Sequence, residues 1–182
     1  MARLKALKPE ETTGKSKELF DTIERKMGMV PNVMKTMGNS PAVLSAYLGF
    51  SSALAGSTLG NKLGEALSLT VANHNGCDYC NSAHTFIGGK MGIGPDAIEA
   101  ARHGRSDDPK TAAALSFAQA ILASKGKVSN SEMDEVRAAG FSEGEIAEIV
   151  ASVALSVFTN YFNNVADTEI DFPRLEPIAH NQ

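Results

Sequence analysis

Apolar residues recur every three or four positions through most of this chain, which is the spacing of one face of a helix. On that pattern the sequence divides into eight helical spans, roughly 13–27, 40–55, 61–73, 77–91, 95–103, 109–124, 131–139 and 142–165. Local signals mark the divisions: Gly56 and Gly60 flank one break, Gly76 separates two helices, and Pro95 falls in a first turn, where its missing N–H costs nothing. Ser131 followed by Asp134 and Ser142 followed by Glu145 both read as capping boxes. No run alternates apolar and polar residues, so the fold class is all-α. The span 142–165 carries Ile146, Ile149, Val150, Val153, Val157 and Phe158 on more than one face, which predicts a central, buried helix. The segment 27–37, rich in methionine and holding Pro31, reads as a loop packed on the core, with its methionines filling gaps.

A chain of 182 residues with 43% hydrophobic and 21% charged content fits one domain, 1–182. Within it lie an N-terminal helical segment 1–45, a cysteine-bearing core of about 46–105, a second helical unit of about 109–166 and a tail 167–182. The net charge of −4, with basic residues scattered, argues against nucleic acid as a partner. The first 17 residues are too charged for a signal peptide. The longest apolar stretch, 149–158, falls short of the roughly 20 residues a membrane span needs. The expectation is a cytoplasmic protein without a membrane partner.

Two cysteines occur, Cys77 and Cys80, with His84 four positions beyond. In a reducing compartment such a pair is more often catalytic or metal-binding than structural, and a disulfide closing so small a loop adds little chain-entropy stabilisation. A helix beginning near Cys77 sets both thiols and the imidazole along one stripe. The thiolate is the reactive form, and the free N–H groups of a first turn, an adjacent histidine and the partner thiol all favour it. Glu65 would disfavour a thiolate by charge, so its natural task is to orient His84 or pass protons. Zinc is the competing chemistry: Cys77, Cys80 and His84 supply three ligands, with Glu65 or His74 as a fourth, although no second cysteine pair exists. His74 otherwise reads as a helix-end residue contacting carbonyls, His103 and His180 as surface residues, and Tyr79 as packing with its hydroxyl at the edge.

A faint repeat runs through the chain. Glu65, Cys77, Cys80 and His84 are matched 83 positions later by Glu148, Asn160, Asn163 and Asp167, while FSSALAG at Phe50 resembles FAQAILA at Phe117, 67 positions on. Either a helical unit was duplicated, with an insertion between the two matches, or two buried helices are alike by chance.

The acid, dithiol and histidine at these intervals on a helical scaffold resemble the AhpD-like (alkylhydroperoxidase D) branch of the carboxymuconolactone decarboxylase family. Gly28–Asn32 (GMVPN) and Ser40–Ala42 (SPA) are similar to its peroxidase-related subgroup. The resemblance implies an AhpD-like helical fold, trimers or hexamers, no cofactor and hydroperoxide reduction by thiols. It implies that Cys80 attacks the peroxide, Cys77 resolves the sulfenic acid, Glu65 and His84 relay protons, and an external dithiol such as a lipoyl group or a protein partner restores the thiols. Asp78 and Tyr79 depart from better-known members, which carry a histidine just before the second cysteine. Loss of the dithiol in the family's true decarboxylases makes that activity improbable here. A redox-sensing protein without peroxide turnover is a further reading.

Overall fold

The computed structural model describes residues 2–175, and among these the chain forms nine α-helices and no strand. They are α1 (Gly14–Met27), α2 (Asn32–Met37), α3 (Pro41–Leu54), α4 (Asn61–His74), α5 (Asp78–Lys90), α6 (Pro95–Arg102), α7 (Pro109–Ser124), α8 (Asn130–Ala138) and α9 (Glu143–Ala166). His180 lies outside the described residues. The eight expected spans all appear, shifted by at most one residue at either end.

Three expectations need correction. Residues 32–37 form a short helix rather than a loop, because Pro31 at the N-cap sets extended backbone and Asn32 then opens α2. Met37 fills the core, whereas Met27 is exposed. The capping box of α8 is Ser129 with Glu132, not Ser131 with Asp134. Glutamate is one methylene longer than aspartate, and its Oε2 reaches back to the Ser129 N–H at 2.6 Å. The Ser142–Glu145 box of α9 forms as expected. Finally, α9 is buried on one side only: Ile146, Ile149, Val153, Asn160 and Asn163 face inward, while Val150, Phe158, Tyr161 and Val165 are exposed. By length and mean hydropathy alone α9 would suit a membrane span, but it packs against α3, α4, α5 and α7.

Two apolar clusters hold the helices together. One joins α4, α6, α7 and α9 through Leu67, Leu69, Ile98, Leu115, Phe117, Ile149 and Val153. The other gathers Phe20, Val33, Met37, Leu44 and Tyr79 around the two cysteines. α4 belongs to both and is the strut between them. Burying side chains of this size contributes roughly 1.5–3 kcal/mol each, and the cysteines sit within the second cluster.

Candidate active site around the cysteine pair

The site begins with a break in the chain. At the end of α4 the backbone N–H of Cys77 donates to the Ala72 carbonyl at 2.9 Å while Gly76 takes φ +59°. This is a Schellman-type termination, and glycine is suited to its left-handed residue. It delivers Cys77 directly to the N-cap of α5. There the Cys77 Sγ accepts the Cys80 backbone N–H at 3.2 Å, standing where a serine or aspartate oxygen usually caps a helix. Cys77 is thus outside the helix it was expected to begin, while Cys80 lies in the first turn. The two are joined as a disulfide, with Cα atoms 5.3 Å apart.

The sulfurs differ in access. Cys77 is wholly buried and Cys80 is 3% exposed. Cys80, not Cys77, lines a cavity of about 100 Å³. Its walls are apolar, from Met27, Val33, Met34, Ile87 and Phe172, and its polar side chains are Tyr47, Tyr79, His84, Thr159 and Asn163. A second, larger cavity of about 400 Å³ runs between α3, α4 and α9 past Glu65. His84, Tyr47 and Thr159 line both, so the histidine stands where the two spaces meet.

His84 and Glu65 are brought together as expected. The His84 Nδ1 donates to Glu65 Oε2 at 2.8 Å across the α4–α5 contact. That bond takes up one ring nitrogen and leaves Nε2 for proton exchange. Burial pushes the Tyr47 phenol up, a hydrogen bond with Ser51 opposes this, and the Glu65 charge adds to the rise.

The residues between the cysteines point to different places. Asp78 is exposed on the first turn of α5. Tyr79 is buried, and its hydroxyl donates to Asp171 Oδ1 at 2.9 Å and accepts from the Val33 N–H at 3.2 Å. Burial above all, with the Asp171 charge, raises its phenol far above the usual tyrosine range. Asp171 also accepts the N–H of Asn32, at 2.8 Å. Tyr79 therefore packs as expected, but its hydroxyl is a buried tie rather than a surface tip.

Sequence reasoning missed one contact to the cysteine pair. The Asn163 Nδ2 of α9 donates to the Cys80 Sγ at 3.3 Å. Asn163 had drawn notice only as the repeat's counterpart of Cys80. Its chain-distant position gave no local signal of a contact. His74 is exposed at the end of α4 with no hydrogen bond, and His103 pairs with Glu99 at 3.1 Å. Among the described residues no three His, Cys, Asp or Glu side chains converge in a metal-holding arrangement.

Comparison with known proteins bears on the family and the fold. Residues 41–123, which carry Glu65, Cys77, Cys80 and His84, match the carboxymuconolactone decarboxylase family. No curated protein matches the chain in sequence. Among solved structures, an uncharacterised peroxidase-related protein with an alkylhydroperoxidase AhpD core from Ralstonia eutropha JMP134 superposes with TM-score 0.84 at 21% identity, covering 93% of this chain and 92% of that one. A peroxidase-related protein from Silicibacter sp. TM1040 gives 0.79 at 22%, covering 93% and 94%. The debrominase Bmp8, as a Cys-to-Ala variant in complex with 2,3,4-tribromopyrrole, gives 0.77 at 25%, covering 94% and 92%. The chain has the AhpD-like helical fold.

Proposed function

We propose, from the match of residues 41–123 to the carboxymuconolactone decarboxylase family, that the chain is a thiol-dependent peroxidase acting on small organic hydroperoxides. The observation that carries this reading is the access of Cys80, and not Cys77, to an apolar cavity that it shares with a Glu65-anchored His84.

In the reduced protein the Cys80 thiolate attacks the terminal peroxide oxygen. An S–O bond forms, the O–O bond breaks, and the departing alkoxide takes a proton relayed through His84. The Cys77 thiolate then attacks the sulfenic sulfur; the S–S bond forms and water leaves. In sum, one hydroperoxide and two thiols give one alcohol, one water and one disulfide. An external dithiol closes the cycle by attacking the accessible Cys80 sulfur, so that Cys77 leaves as a thiolate held by the Cys80 N–H and the positive end of α5. Glu65 keeps His84 oriented through both halves. The reductant is a lipoyl-type dithiol or a redox protein, and the setting is the reducing cytoplasm. The chain assembles with copies of itself through the exposed stripe Val150, Ala154, Phe158, Tyr161 and Val165 of α9, whose spacing keeps all five on one face.

The test is a thiol count after tert-butyl hydroperoxide, with and without dihydrolipoamide, on metal-analysed protein. Loss of two thiols, restored by the dithiol with continuing peroxide consumption, is the expected result. Two unreactive thiols with stoichiometric zinc would sink the proposal.

One observation favours a second reading, reductive dehalogenation of a small aromatic: the likeness to Bmp8 at 25% identity, together with apolar walls around Cys80. The same dithiol supplies the two electrons. One aryl bromide and two thiols give the arene, hydrogen bromide and the disulfide. Bromide release from 2,3,4-tribromopyrrole, measured beside peroxide consumption, separates the two.

A further inference from the structure

The two sulfurs draw on different donors. At the start of α5 the Cys80 N–H is taken by the Cys77 Sγ, and the Asn81 N–H by the Cys77 carbonyl at 2.9 Å. Of these two N–H groups, that of Cys80 serves the Cys77 sulfur, the one that leaves, and that of Asn81 serves the helix backbone. The side-chain hydrogen bond that Cys80 receives comes from Asn163, which sits on α9, 83 residues away.

Asn163 is fixed in place. One turn before it, Asn160 accepts from the Asn75 Nδ2 at 3.0 Å, and beside it Asn164 donates to the Asn75 carbonyl at 3.0 Å. These bonds fasten α9 to the turn that carries the cysteines. Asn163 itself is 4% exposed, and its Oδ1 has no partner. A buried amide half unsatisfied is costly, and disulfide sulfur is a weak acceptor. The same N–H becomes a strong, charge-assisted donor once Cys80 is a thiolate.

We propose that Asn163 is a catalytic residue that stabilises the Cys80 thiolate by direct N–H donation and so selects Cys80 as the attacking sulfur. This rests on the reading of Cys80 as the reacting thiol. It also gives α9, which lies outside the family-matched segment, a part in the chemistry.

The experiment follows the pH dependence of Cys80 alkylation by iodoacetamide in a Cys77→Ser background, where one thiol remains. Asn163→Ala is expected to raise the alkylation midpoint by about one pH unit, roughly ten-fold less thiolate at neutral pH. Asn163→Asp should raise it further, since a carboxylate then faces the sulfur. A merely structural role would lower the melting temperature and leave the midpoint in place. An unchanged midpoint in folded Asn163→Ala overturns the proposal, whatever the aspartate variant does. Alkylation needs no peroxide, so the two readings fail separately. A raised midpoint without peroxide turnover leaves Asn163 its role and removes the peroxidase, while turnover with unchanged midpoints does the reverse.

Discussion

The α4–α5 pair and α9 carry the same spacing of marked residues, yet only the first is broken. In α4–α5, Gly76 follows the end of one helix and Cys77 caps the next, which frees backbone N–H groups beside the sulfurs. Across the matching stretch of α9, Phe158, Thr159 and Asn160 contain no glycine and the helix runs on. An unbroken helix has no free N–H to offer in its middle, so what it contributes comes from side chains: the amides of Asn160, Asn163 and Asn164. The acids differ in the same way. Glu65 holds a histidine, whereas Glu148 accepts from the Thr58 N–H and hydroxyl, at 3.0 and 2.7 Å, and pins the loop between α3 and α4. One pattern thus offers backbone donors where the chain breaks and side-chain donors where it does not.

The largest test of this contrast is Cys80→Ser, expected to abolish peroxide turnover, while Cys77→Ser leaves one oxidation without recycling; steady-state and single-turnover peroxide consumption distinguish them. Next, Glu65→Gln should slow turnover by roughly 10² through loss of the proton relay. Glu148→Gln should leave the rate within about two-fold while lowering the melting temperature by roughly 2–4 °C. Equal rate losses in the two would erase the distinction. Gly76→Ala meets no atom within 4 Å but must hold φ +59°, so it should cost about 1–2 kcal/mol, read as a lowered denaturant midpoint. The smallest effect is alkaline. Burial favours the neutral Tyr79 phenol in the folded state, so its contribution is full below the ordinary tyrosine value near 10 and fades above it, as the unfolded chain ionises first. Tyr79→Phe should flatten the fall in urea midpoint between about pH 9.5 and 11, although losing two hydrogen bonds lowers the midpoint at pH 8.

How legible this was depended on distance along the chain. The helix ends and the break before Cys77 were readable because glycine, proline and capping residues act within a few positions. The Glu65–His84 pair, 19 residues apart, could be named from residue types but not brought together. Asn163 stood out only as a counterpart of Cys80, since its contact depends on how α9 packs over the turn. The apolar residues of α9 misled for a related reason: periodicity reports that a face avoids water, and cannot distinguish burial in the domain from exposure of Val150, Phe158 and Tyr161.

The tie from Tyr79 through Asp171 to the Asn32 N–H spans 139 residues between its outer members. Closing so long a loop costs entropy that is repaid only once the intervening helices have docked. The cavity wall carrying Phe172 is therefore among the last parts to form during refolding. In the reduced chain, between the first helices and that final clasp, Cys80 is open to any thiol reagent. In a pulse-labelling time course its protection should trail the gain of helical signal.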